Sequence, residues 1–175
     1  MQRNIILIGF MGTGKSTIGR ILAQNLGYPL IDTDQTIEAE QNCTISEIFE
    51  KSGEEAFRNI ESGTLRSLTN HTEHIISTGG GAIGRPENRQ ILRQIGYVVW
   101  LSASPKEIHK RTSRNNNRPL LNQKDPEGFI RTLLEKRTPH YKETAHLKIE
   151  TDQLNFDEVA TGILESARYH FSSLK

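Results

Sequence analysis

The chain has 175 residues, a length that fits one domain with a sizeable core. Only 34% of its residues are hydrophobic and its formal net charge is +1, which argues against a nucleic-acid binder, since such a domain is strongly basic. No stretch approaches a membrane span, the N-terminus runs straight into a strand with no secretory signal, and the lone Cys43 makes neither an intrachain disulfide nor a metal site, so a cytoplasmic protein is expected.

The first element is a strand around Ile5-Ile6-Leu7-Ile8, apolar on both faces as a central parallel strand should be. It runs into Gly9-Phe10-Met11-Gly12-Thr13-Gly14-Lys15-Ser16, which fits the phosphate-loop pattern G-x-x-x-x-G-K-[ST]. The glycines let backbone N–H groups close on phosphate oxygens, Lys15 brings a positive charge to the β- and γ-phosphates, and the Ser16 hydroxyl can ligate Mg²⁺. Ile18, Ile21, Leu22 and Leu26 follow at helical spacing, so the positive end of a helix faces the anion. A nucleoside triphosphate site is expected.

Gly27 and Pro29 break the chain, and Leu30-Ile31 forms a short strand ending at Asp32. A polar helix should start near Thr33 and stop before Thr44. Thr44-Ile45-Ser46-Glu47 reads as a capping box for a short helix through Glu50, and Gly53 separates it from a longer helix carrying Ala56, Phe57, Ile60, Leu65 and Leu68. Ile75-Ile76-Ser77 is a buried strand before Gly79-Gly80-Gly81. Pro86 opens a helix that ends near Gly96, and Tyr97-Val98-Val99-Trp100-Leu101 is a further strand. Ser104-Pro105-Lys106-Glu107 combines a cap, a first-turn proline and a capping glutamate. Asparagine-rich stretches on both sides of Arg118-Pro119-Leu120-Leu121 predict a mobile surface loop. Asp125-Pro126 starts a helix to about Thr138, 147–151 is the last strand, and the last helix runs from Phe156 to about Phe171. Five strands alternating with helices predict an α/β fold, an open parallel sheet covered on both faces.

Ligands in such sheets bind at the carboxyl ends of the strands. Besides the phosphate loop, Asp32, Asp34 and the glycine run lie there. One of the two carboxylates can face a metal while the other accepts a hydrogen bond from a substrate hydroxyl; alternatively, Asp34 or Thr33 is only a helix N-cap. Arg58 and Glu61 share a helix face, either as an exposed ion pair or with Glu61 holding the arginine so that its fork grips a substrate carboxylate. Three adjacent glycines suggest a ligand against bare backbone, a tight turn, or both. Arg111, Arg114 and Arg118 gather around the asparagine-rich loop as a solvated basic face or as a loop arginine for the γ-phosphate, and Arg137, expected at a helix end, could be a dipole partner there. His71 and His74 lack the further ligands a metal would need.

Taken together, Gly9 to Ser16, Asp32-Thr33-Asp34, Phe57-Arg58, Ser77-Thr78-Gly79-Gly80-Gly81 and Arg118-Pro119-Leu120-Leu121 resemble the shikimate kinase motifs in order and spacing. The resemblance runs to about Thr151. It implies a three-layer P-loop kinase fold with a central parallel five-stranded sheet, a helical substrate-binding segment at about 33–61 and a lid at about 112–124, within one domain spanning 1–175. It implies transfer of the γ-phosphoryl of ATP to the 3-hydroxyl of shikimate, on the route to chorismate and the aromatic amino acids, with Mg²⁺. Catalysis would fall to Lys15, Asp34 and Arg118. The nucleotide would be held by Gly12, Thr13, Gly14, Lys15, Ser16, Thr17, Arg111, which stacks on adenine, and Arg118. Shikimate would be held by Asp34, Arg58, Gly79, Gly80, Gly81 and Arg137, and the metal side would be Ser16 and Asp32. The protein is expected to act as a monomer on small molecules, without nucleic-acid or membrane partners. The rivals are another small-molecule kinase of this fold, for gluconate or a nucleoside monophosphate, and a catalytically silent nucleotide-binding module. Asp34, Arg58 and Gly80 argue against the first, and intact Lys15, Ser16, Asp34 and Arg118 against the second.

Overall fold

The computed structural model describes residues 3–113 and 125–173, so Arg114, Arg118 and most of the expected lid lie outside the described residues. Five strands, β1 (Asn4–Ile8), β2 (Leu30–Asp32), β3 (Ile75–Ser77), β4 (Gly96–Ser102) and β5 (Leu147–Glu150), form one parallel sheet in the order β2-β3-β1-β4-β5. β1 is central, and its alternation divides the core in two. Ile5 and Leu7 pack with Ile18 and Leu22 of α1 (Lys15–Leu26) and with Val159, Ile163 and Ala167 of α7 (Phe156–Ser173). Ile6 and Ile8 pack on the other face with Leu65, Leu92, Ile95 and Tyr141. A strand apolar on both faces is what a two-sided core requires. The chain moves from β1 to one side for β2 and β3 and later to the other for β4 and β5. The loop after β1 therefore sits at the topological switch point, where open parallel sheets bind ligands.

The second face is covered by α3 (Ile45–Ser67), α4 (Pro86–Ile95) and α6 (Pro126–Thr144). α3 is two helices in one: Gly53 has φ 79° and ψ 174°, and the expected capping box is complete at Thr44 and Glu47. With α2 (Thr33–Gln41), α3 closes a small separate core in which Ile37 packs with Ile48 from before the Gly53 break and Phe57 from after it.

Two sequence expectations need correction. α6 does not stop near Thr138 but continues through Pro139 to Thr144, so Arg137 is mid-helix and no dipole partner for its end. An interior proline costs a helix roughly 3 kcal/mol. The burial of Tyr141 beyond it, stacked on Trp100 at 5.4 Å, works against that cost, and Arg93 caps the carbonyls of Glu143 and Thr144 at 3.1 and 3.2 Å. At α5 (Pro105–Thr112), Ser104 caps as expected, but Glu107 does not reach back. Its carboxylate accepts from Arg111 at 2.9 Å, while the Ser104 N–H donates to Asp152 at 2.9 Å.

Candidate active site

The phosphate loop ends at Gly14, which has φ 94° and caps α1 with backbone alone. A side chain there would also run into the Phe156 ring, 2.9 Å from an added Cβ. The first turn of α1 carries no acidic residue, so its N-terminal N–H groups and positive dipole end remain suited to an anion. Lys15 lies back over the loop, its Nζ donating to the carbonyls of Gly9 and Phe10 at 2.8 and 2.9 Å. Thr13 turns its side chain inward. It is buried and its hydroxyl donates to the Phe10 carbonyl at 2.8 Å, so the side chain braces the loop.

β2 delivers the two carboxylates, and the structure divides them differently from the cap alternative. The N-cap of α2 is Asp32, whose Oδ1 accepts from the Asp34 and Gln35 N–H groups at 3.2 and 3.5 Å. Its Oδ2 accepts from the Ser16 hydroxyl at 3.0 Å. Thr33 turns inward and accepts from the Gly79 N–H at 3.1 Å. Asp34 is thereby left to face the cleft. Burial first, then the neighbouring Asp32, push its carboxyl above the ordinary aspartate value of 3.8, with Lys15 and Arg58 pulling the other way.

Opposite Asp34, Arg58 donates from Nη1 to Glu61 at 2.9 Å and from Nη2 to Glu54 at 3.1 Å. Its side chain is 17% exposed and that of Glu61 only 1%, so this is no solvated surface pair. Burial raises the Glu61 carboxyl, with Arg58 opposing. The glycine run passes between these groups. An added Cβ at Gly79 would stand 2.5 Å from Asp34 Oδ1 and 3.1 Å from Glu61 Oε1; at Gly81 it would meet the Arg58 guanidinium at 2.7 Å. At Gly80 it would meet the Gly9 carbonyl and the Met11 N–H at 3.4 Å, so the turn touches the phosphate loop as well. Arg137 reaches in from α6, donating to the Gly80 carbonyl at 3.2 Å.

Gly12, Gly14, Lys15, Ser16, Thr17, Asp32 and Arg111 line one cleft of about 830 Å³ together with Asp34, Arg58, Gly79, Gly80, Gly81 and Arg137. That volume accommodates a nucleotide beside a small second substrate. A family model described as "Shikimate kinase" matches residues 11–168. The chain belongs to the shikimate kinase family. It is 42% identical over 164 residues to a shikimate kinase of Symbiobacterium thermophilum, covering 93% of this chain and 94% of that one. It is 46% identical over 167 residues to one of Thioalkalivibrio sulfidiphilus, covering 95% and 86%. Among solved structures, the shikimate kinase from Acinetobacter baumannii in complex with shikimate superposes with a TM-score of 0.91 at 43% identity, covering 97% of this chain and 95% of that one.

For a shikimate kinase family member the cleft also holds residues that the sequence reading passed over. Glu38, Ile45 and Ser46 line it from α2 and the start of α3. Phe156 lines it beside Gly14, with the Arg111 guanidinium 5.7 Å from its ring centroid. Arg111 is fixed there by Thr151, whose hydroxyl and carbonyl accept from it at 2.9 and 2.8 Å. The N-terminal position of Phe156 in its helix was visible; its approach to Gly14 depends on how α7 packs against α1. Among the described residues no three His, Cys, Asp or Glu side chains gather as a metal cage. The all-oxygen pair of Ser16 and Asp32, already within hydrogen-bond distance of each other, instead suits Mg²⁺, which commonly takes one carboxylate together with substrate phosphates.

Proposed function

We propose that this chain transfers the γ-phosphoryl group of ATP to the 3-hydroxyl of shikimate. The observation that carries the reading is the convergence, in one cleft with the phosphate loop, of two arginines, the half-buried Asp34 carboxylate and a bare glycine turn. Two cationic forks and a carboxylate are complementary to a small polyol that bears one carboxylate. Arg58, held by Glu61 and Glu54, and Arg137 would grip that carboxylate, and the glycine run lets the ring approach the backbone.

Asp34 would accept the proton of the attacking hydroxyl. The shikimate 3-oxygen then bonds the γ-phosphorus while the bond to the β,γ-bridging oxygen breaks and ADP leaves. The raised affinity of Asp34 for a proton favours that acceptance. Lys15 and the open N-terminus of α1 would neutralise charge on the phosphates, which is most of what a loose, metaphosphate-like transition state requires. Ser16 and Asp32 would hold Mg²⁺, which would supply further neutralisation of the phosphate charge. Arg111 and Phe156 offer flat surfaces for the base. Arg118 lies outside the described residues; through the family resemblance it would bring a further positive charge to the γ-phosphoryl, and Arg118→Ala should then lower kcat on the order of 10².

A coupled ADP-release assay tests the reading. Shikimate should drive ADP formation, while gluconate or a nucleoside monophosphate should not. Faster turnover with either of those would overturn the substrate assignment.

A further inference from the structure

The Gly80 carbonyl accepts two hydrogen bonds from α6. One comes from Arg137 Nη1 at 3.2 Å and the other, shorter, from the Tyr141 hydroxyl at 2.7 Å. The two donors are four residues apart, so they share a helix face only because α6 continues through Pro139. They differ in freedom. Tyr141 is fully buried and stacked on Trp100 at 5.4 Å, so it cannot leave the carbonyl. Arg137 lines the cleft on a long side chain, its guanidinium 5.3 Å from the Phe10 ring centroid, and can turn toward a ligand.

Resting on the shikimate kinase reading, we propose that Tyr141 is the positioning residue that holds the Gly80 carbonyl and so releases Arg137 to the substrate carboxylate. The Gly80 carbonyl is half-buried at the cleft wall, and among the described residues these are its two side-chain donors; a carbonyl so placed is penalised when it loses both. Without the tyrosine hydroxyl, each binding event would strip Gly80 of its remaining partner, and Arg137 would be torn between two acceptors. With it, the carbonyl stays satisfied in both states. Gly80 itself stays in place against Gly9 and Met11, which keeps the substrate end of the cleft in register with the phosphate loop. Burial keeps the phenol in the protonated, donating form by pushing it up to about 12.

Tyr141→Phe removes the hydroxyl and keeps the ring on Trp100. The KM and Kd for shikimate should rise about five- to tenfold, the scale of one hydrogen bond, while kcat at saturating shikimate and the KM for ATP stay within twofold. The same substitution in an Arg137→Met background should have no further effect on shikimate affinity, because the arginine it acts through is gone. An unchanged shikimate affinity in Tyr141→Phe overturns the proposal. So does an effect that persists undiminished without Arg137, which would make the tyrosine a general brace of the turn. A Tyr141→Phe chain that fails to fold counts against it for the same reason. If the unsubstituted chain does not use shikimate, the functional reading falls and this inference with it; active wild-type chain with indifferent variants removes the inference alone.

Discussion

Asp32 and Asp34 are two residues apart and carry separable duties. Asp32 caps α2 and meets Ser16, so the fold depends on it, whereas Asp34 makes no capping bond and faces the cleft. Asp34→Asn should therefore leave the melting temperature within a few degrees and lower kcat on the order of 10² or more, the range of a lost general base. The pH profile has a definite sign. Asp34 must be ionised to accept the proton, so kcat/KM should fall as pH drops through its pKa. Burial and Asp32 place that limb above 3.8. Steady-state rates across the acid range check both points; near-normal turnover in Asp34→Asn contradicts the assignment. Arg58 gives a second test. Lysine cannot reproduce a forked contact, so Arg58→Lys should weaken shikimate binding by roughly 1.5–3 kcal/mol, the worth of a charged hydrogen bond, and leave ATP binding unchanged in calorimetric titration. A lower melting temperature with unchanged affinity would make Arg58 a structural ion pair only.

At the scale of elements, the glycine turn is shaped by the side chains around it. An alanine methyl at Gly81 would stand 2.7 Å from the Arg58 guanidinium, the far end of a flexible side chain. Gly81→Ala should thus fold normally, with a melting temperature near wild type, and raise the KM for shikimate about tenfold by displacing that arginine. A large loss of stability with intact KM would place the glycine's importance in the turn itself. The elements also show what a sequence can disclose. The Thr44–Glu47 capping box, the break at Gly53 and the proline opening α4 are local chemistry, and each lies where the residues put it. α6 was misread because Pro139 is a strong local stop, while what outweighs it, Tyr141 against Trp100 and Gly80, is contact with distant residues. The capping of α2 by Asp32, rather than by Thr33 or Asp34, turned on a register of one or two residues. Asp152 displaced Glu107 at the start of α5 for the same long-range reason. The site's main residues were legible because strand ends concentrate them and the motifs order them. Glu38 and Phe156 were not, because helix packing brings them in.

Across the whole molecule, the order β2-β3-β1-β4-β5 puts all the chemistry at one end of the sheet. A different feature lies beside β4 and β5. His146 extends their pairing: its N–H donates to the Val98 carbonyl at 2.8 Å and its Nδ1 accepts from the Val98 N–H at 2.9 Å. A proton on Nδ1 would break the second bond. Burial, then Arg93 and His170, lower the imidazole from 6.5 to about 4. The unfolded chain then takes up this proton first, so the stabilisation is full above 6.5 and is lost as pH falls toward about 4. The urea midpoint should decline over that window, and His146→Asn, which keeps an acceptor but does not titrate, should flatten the decline. Superimposable profiles would contradict it. The central claim, that the cleft carries a phosphoryl group from ATP to one hydroxyl of shikimate, is tested most directly by the product. Incubated with ATP, Mg²⁺ and shikimate, the protein should yield a single new phosphomonoester, with phosphorus–proton coupling in the NMR spectrum locating it on the 3-oxygen. Inorganic phosphate alone, or a phosphoryl group on another hydroxyl, would contradict the account.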